Sequence, residues 1–315
     1  MLRSQPGVMI DIEADFIEDV RNELEAELVG LGYPAAPTTG DVYKDAHQVC
    51  MDYFNAFARR ISKRSRNVHW SPELTAREPL LAAPLRAGLA AAVAELQAGQ
   101  DMRPRLSRSL KDRDFDDKML NDWGIHHLHL GTAVEPDGFV ARTRDVLFVM
   151  VRPDDIYLLD VRGHGAWTDA DLVEIVHAHW PQTLEPFRVK GITGFDLTPR
   201  QRKNLRAKNA NAGVTMKDGT FYAGIGGGIA ASAMNFGAVR WGDMLLATAR
   251  EVEKTVRSFD PEKMADEVER VTGTRPDRLV YRLAETHEDH AFVSVVNATK
   301  LFVIRVAYGA GQAPS

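Results

Sequence analysis

An α+β fold is predicted, and three observations predict it. Up to about residue 122 the apolar residues recur every third or fourth position, the period of a helix with one buried face. From Trp123-Gly124 the period changes, first to the alternation of Ile125–Leu130. It then becomes the nearly continuous apolar runs Asp145–Val151 and Ile156–Val161. Between those two runs stands Pro153-Asp154-Asp155, which is turn chemistry, so they read as a hairpin buried on both faces. The expected organisation is a helical N-terminal region over residues 1–122. An α+β region over 123–315 follows, with a mixed, largely antiparallel sheet and packed helices.

Residues 1–9 read as a loose tail. From Asp11, Ile12, Phe16, Val20, Leu24 and Leu28 form one helical stripe, stopped by Gly30, Gly32 and Pro34. A second helix starts near Asp41 and carries Ala46, Val49, Cys50, Tyr53, Phe54, Phe57 and Ile61 on its core face. Ser71-Pro72-Glu73 offers an N-cap with proline in the first turn, and Pro84 splits the helical stretch that ends near Leu96. After the polar connector Gln97–Arg113, Asp114–Asp122 reads as one or two helical turns. Ile125–Leu130 and Phe139–Arg142 are predicted strands ahead of the hairpin. Thr168 is the expected cap of a helix over Ala170–His179, ended by Trp180-Pro181, and Thr198-Pro199 opens another. Asp218-Gly219 joins Val214–Lys217 to Thr220–Ile225 as a tight hairpin. A long helix with Trp241, Leu245, Thr248, Val252 and Val256 on one side follows the glycine-rich run, then a helix over Pro261–Val271. Leu279–Ala284, Ala291–Val296 and Leu301–Ala307 are the last strands.

With 315 residues, 44% of them hydrophobic, the chain can bury one large core or two ordinary ones. Its single cysteine, Cys50, excludes a disulfide framework and sits where a small buried hydrophobe belongs, which suits a reducing cytoplasm. No secretory leader pattern is recognisable, and the most apolar stretch, Leu80–Leu96, is too broken to span a bilayer, so no membrane partner is expected. A formal net charge of −5 argues against a general nucleic-acid coat, although Arg59–Arg66 and Arg200–Lys208 are local basic clusters.

Titratable residues gather at the ends of the central hairpin: His126, His127 and His129 before it, Arg142, Arg144 and Asp145 at its start, Arg162 and His164 at its end. Two kinds of chemistry fit. His127 and His129, two apart on one strand, share a face and with His164 could hold a metal ion that activates water, although no HExxH, cysteine pair or carboxylate set accompanies them. Alternatively His129 or His164 acts as general acid or base beside Arg144. Cleaving RNA through its own 2′-hydroxyl needs a base, an acid and a fixed cation, and His and Arg supply these without a metal or cofactor.

The stretch Arg144–Trp167, with its polar start, apolar strand, short acidic turn and second strand ending in Arg162-Gly163-His164, resembles the C-terminal hairpin of RelE/ParE-type toxins and related small endoribonucleases. His127-Leu128-His129-Leu130 is similar to the segment that precedes that hairpin in the family. The resemblance, over about residues 125–167, implies a compact antiparallel sheet with helices, metal-independent RNA cleavage (ParE-like members act otherwise) and a site of basic plus His or Tyr residues. Arg144 would match the arginine at the start of the hairpin, Arg162 a basic residue near its end and His164 the histidine after it. Gly165-Ala166-Trp167 stand where the family often has a tyrosine, and the chain continues for about 150 residues beyond.

The leading expectation is therefore a metal-independent endoribonuclease or toxin-like RNA-processing protein. Its catalytic residues would be His127, His129, Arg144, Arg162 and His164, with RNA as substrate and an antitoxin or other protein as partner. A metal-dependent hydrolase using the histidine cluster is the alternative enzyme, and a non-catalytic nucleic-acid- or partner-binding protein the alternative without chemistry. Gly226-x-Gly228-x-x-Ala231 formally matches a dinucleotide fingerprint, but the preceding strand belongs to a tight hairpin, so close backbone approach accounts better for those glycines.

Overall fold

The computed structural model describes residues 10–192, 194, 196–286, 290–295 and 302–307. In chain order the elements begin with β1 (Asp11–Ala14), α1 (Phe16–Gly30), α2 (Val42–Ala58), β2 (Asn67–Trp70), α3 (Pro72–Arg77), α4 (Ala83–Ala98) and α5 (Lys118–Trp123). Next come β3 (Ile125–His129), β4 (Asp145–Val151), β5 (Asp155–Gly163), α6 (Asp171–His179), α7 (Pro199–Ala207), β6 (Val214–Thr215) and β7 (Phe221–Tyr222). The chain finishes with α8 (Phe236–Arg257), α9 (Pro261–Thr272), β8 (Arg278–Thr286), β9 (His290–Val295) and β10 (Phe302–Ala307). Helices packed with mixed sheets make this an α+β protein. Among the described residues, no helix is long and apolar enough to cross a membrane.

Two compact units divide the chain. One is drawn from Met1–Tyr53 and Arg240–Ser315 and holds the sheet β1-β8-β9-β10, in which β1 runs parallel to β8 and the other pairs are antiparallel. The other, Phe54–Val239, holds the sheet β2-β5-β4-β3. Here β3, β4 and β5 pair antiparallel, and β2 joins β5 in parallel. Both β4 and β5 are continuous apolar runs because both faces of this sheet are covered. One face carries Leu128, Leu147, Val149 and Leu158 packed with Leu89 and Leu96 of α4. The other carries Ile125, Phe148 and Leu159 packed with Trp123 of α5 and Leu172 and Val176 of α6. Each such side chain taken fully out of water contributes about 1.5–3 kcal/mol, so the central hairpin is anchored from both sides.

Several sequence expectations change. The first 122 residues are not purely helical, because β1 and β2 lie within them, and the boundary expected after residue 122 falls inside the Phe54–Val239 unit. Asp15 ends the first strand and starts the helix, its side chain accepting from Glu18 N–H at 3.0 Å, so the stripe read from Asp11 is a strand followed by a helix. Asn67–Trp70 pairs in register with Asp155–Leu158, a long-range contact that a local period cannot reveal. Phe139–Arg142 is no strand; it contributes only the single bridge Val134–Val140. Thr168 does not cap α6, whose N-cap is Ala170 without a side-chain bond.

The caps at Ser71 and Thr198 stand as expected, the latter as a full capping box with Gln201. Both basic clusters turn partly inward. Arg59 is buried and donates to the carbonyls of Asn55, Ser109, Asp112 and Arg113. Arg202 and Arg206 are buried against Asp122, with Arg206 stacked 4.2 Å over the Trp123 ring. The residues 1–9 read as a tail, and Val296 and Leu301 of the predicted terminal strands, lie outside the described residues.

A candidate three-histidine metal centre

Strand β3 puts His127 and His129 on one face because side chains two apart on a strand point the same way. Their cross-strand partners are Phe148 and Val146 of β4, on the face that packs against Trp123 and α6. His126 points the other way and is buried. The third histidine comes from the end of β5. Asp145 pairs with Gly163, and the ladder runs one step further, with His164 N–H donating to the Arg144 carbonyl at 2.6 Å. This brings His164 beside the end of β3.

The ring centroids lie 5.9 Å apart for His127 and His129, 5.8 Å for His127 and His164, and 5.4 Å for His129 and His164. One ring nitrogen from each lies within 4.8 Å of the other two. Trp167 closes one side, its ring 4.6 Å from His127 and 4.7 Å from His164. His129 is only 2% exposed, and among the described residues neither Nδ1 nor Nε2 has a hydrogen-bond partner. His164 is exposed, so the cluster opens to solvent on its side.

Burial holds the His127 and His129 rings in the neutral form and pushes the exposed His164 ring in the same direction. Desolvation, helped by the charges of the neighbouring rings and of Arg142, depresses His127 to about 3. Desolvation, then His164 and Arg142, brings His129 to about 4, and desolvation followed by Arg142 lowers His164. Neutral imidazoles carry free lone pairs, which is the state a metal needs.

The remaining sequence candidates fall in two places. Arg144 is exposed at the rim, tied to the site through its own carbonyl. Arg162, paired with Val146 in the ladder, is engaged by carboxylates, bonding Asp160 at 2.9 Å and Asp169; Asp160, 1% exposed, also takes Arg77 at 2.6 Å. That gives Arg162 a structural place holding the end of β5. Two residues that the sequence reading did not assign belong to the site. Trp167 forms a wall, and Arg142 stands two residues before Arg144; the spacing of Arg142 and Arg144 was the available signal.

His177 and His179 are paired elsewhere, with Tyr222 and Asp218, and with Glu73. The glycine run is explained by close approach. A Cβ on Gly226 would lie 2.0 Å from the Leu120 carbonyl oxygen, and the N–H groups of Gly226 and Gly228 donate to Asp122 and Asn121 carbonyls. Those N–H groups are thus spent within the protein and are not presented to a phosphate. Comparison with family models, curated proteins and solved structures finds no match for this chain.

Proposed function

We propose that this protein is a metal-dependent hydrolase whose divalent ion is held by His127, His129 and His164. The observation that carries this reading is the His129 imidazole, buried, without a hydrogen bond at either nitrogen among the described residues, and set against two other imidazoles. A buried polar group without a partner costs about 1–3 kcal/mol, and coordination through one nitrogen removes part of that cost. Nitrogens at about 2.0–2.1 Å from a tetrahedral ion stand roughly 3.4 Å from one another, a contraction that the exposed His164 side chain can supply. An ion with three protein ligands keeps a fourth position for water and lowers that water's pKa toward 7, which makes a nucleophile at neutral pH. The three rings fix the ion, Trp167 shields one side, and the His164 side admits substrate.

Metal-independent RNA cleavage is the second reading, favoured by the adjacency of Arg144 and His164 across the hairpin ladder. It requires one imidazole to be protonated as the acid, and the depressed pKa values of His127 and His129 work against either of those two taking that part. The deciding experiment strips the purified protein with a chelator, restores zinc, and measures metal per chain by mass spectrometry beside hydrolysis of an activated ester. One equivalent of zinc, activity lost on stripping and regained on reloading, and no bound zinc in a folded His129→Ala variant are expected. A wild-type chain that binds no stoichiometric metal, or a variant that binds as much, overturns the proposal.

A further inference from the structure

We propose that the rim of this site recognises a phosphoryl group through Arg142 and Arg144, so that the substrate is a phosphate ester. This rests on the metal-site reading above and adds the substrate class to it. The segment carrying the two arginines is fastened on both sides to the strands that present the histidines. Leu130 N–H, one residue beyond His129, donates to Thr143 Oγ1 at 3.1 Å, and His164 N–H donates to the Arg144 carbonyl. Thr143 is therefore turned inward, while Arg142 and Arg144 are both exposed on either side of it.

By register, Arg144 continues the series Val146, Phe148 and Met150, whose side chains lie on the His127 and His129 face. Several other arginines near the sheet are paired with carboxylates, Arg108 with Glu135 and Asp137, Arg162 with Asp160 and Asp169, and Arg77 with Asp160, while Arg66 and Arg152 are turned onto backbone carbonyls. Among the described residues, Arg142 and Arg144 alone at this rim have no carboxylate partner. Two free guanidiniums beside a divalent ion match a phosphoryl dianion with several oxygens better than a single carboxylate, and the planar guanidinium fork suits phosphate geometry. In the hydrolysis this implies, water oxygen bonds to phosphorus, the P–O bond to the alcohol breaks, and a water proton ends on the alcohol oxygen.

The test is calorimetric titration at low ionic strength of wild type and the Arg142→Gln/Arg144→Gln double variant, each in zinc-loaded and metal-free form. Inorganic phosphate, acetate, phenyl phosphate and a short single-stranded oligoribonucleotide serve as probes. Both arginines are exposed, so the variant should fold, and zinc stoichiometry is measured on the same samples. Phosphate binding that exceeds acetate binding, and that falls at least about tenfold in the double variant at unchanged zinc content, supports the proposal. A preference for phenyl phosphate or for the oligoribonucleotide then says whether the ester is small or polymeric. Equal binding by variant and wild type, or equal binding of phosphate and acetate, overturns it. Failure of the metal reading shows separately, as zinc that does not bind, and the metal-free titrations still read the arginines in that case.

Discussion

His164 donates its backbone N–H to the carbonyl of Arg144 over 2.6 Å, one step beyond the last paired residues of the hairpin. The bond uses main-chain atoms alone, so the position of residue 164 does not depend on its imidazole. His164→Ala should consequently fold as wild type does while losing one of three ligands. The expected result is a drop in zinc affinity of more than about 100-fold, since loss even of an outer partner of a metal ligand costs about 10–100-fold. Zinc titration against a competing chelator, beside a thermal melt, checks both halves. Unchanged affinity would remove His164 from the ligand set.

Asp160 is 1% exposed and holds two arginines, Arg77 at 2.6 Å and Arg162 at 2.9 Å. Removing the carboxylate leaves the half-buried Arg162 guanidinium with Asp169 alone, so Asp160→Ala should destabilise the protein by about 3 kcal/mol, at the lower end of the range for breaking a buried pair. Arg77 is 46% exposed and solvates readily, so Arg77→Ala should cost no more than about 1 kcal/mol. Urea denaturation of the two variants compares them directly, and equal losses would contradict the ranking.

Gly226 and Gly224 should respond differently to alanine. A Cβ at Gly226 meets backbone, at 2.0 Å from the Leu120 oxygen and 2.6 Å from the Asn121 oxygen, and neither can yield without moving α5. Gly224 has a φ of +70° and nothing within 4 Å, so alanine there meets only the left-handed backbone cost of about 1–2 kcal/mol. Gly226→Ala should lose about 3 kcal/mol or more, the upper range for overpacking. Denaturation midpoints decide it; a Gly226→Ala protein as stable as the Gly224→Ala one would contradict the close approach.

Burial holds His126 at about 4 in the folded chain, below the ordinary value of 6.5. Above that ordinary value both states are neutral and the residue adds no pH dependence. As pH falls from about 6.5 to about 4, the unfolded chain takes up a proton that the folded chain refuses, so stability falls by roughly 3 kcal/mol from this residue. His127 and His129 add to the same limb. In metal-free protein, His126→Gln should therefore flatten the decline between pH 6 and 4 by about one proton. An unchanged slope would show that His126 titrates normally.

The histidine site was legible because its parts obey local rules. Alternation along Ile125–His129 puts His127 and His129 on one face, and two runs joined by a proline turn make an antiparallel hairpin that returns His164 to its start. What escaped depends on distant partners. Asn67–Trp70 becomes a strand because β5 offers it an edge, and Asp11–Ala14 because β8 does, and neither partner is visible in a window of ten residues. The pairing of Arg162 with Asp160 and Asp169 was equally hidden, and so were the carbonyls and Asp122 that Arg59, Arg202 and Arg206 of the two basic clusters face.

Ligand type at the cluster sets which ion it takes. Three imidazoles with no carboxylate among them suit zinc, cobalt, nickel or copper, whereas magnesium and calcium prefer oxygen ligands. Zinc added to the metal-free protein should stabilise the folded state by about 2.7 kcal/mol once its free concentration reaches about 100 times the dissociation constant. For a unit of this size that raises the thermal midpoint by roughly 5–10 °C. Magnesium at millimolar concentration should leave the midpoint where it was. The increment should vanish in His129→Ala, which removes a buried imidazole that has no hydrogen-bond partner among the described residues. Scanning calorimetry with zinc, with magnesium and with chelator, on wild type and on that variant, gives all the comparisons. Stabilisation by magnesium equal to that by zinc, or a zinc increment that survives His129→Ala, would place the ion elsewhere in the molecule.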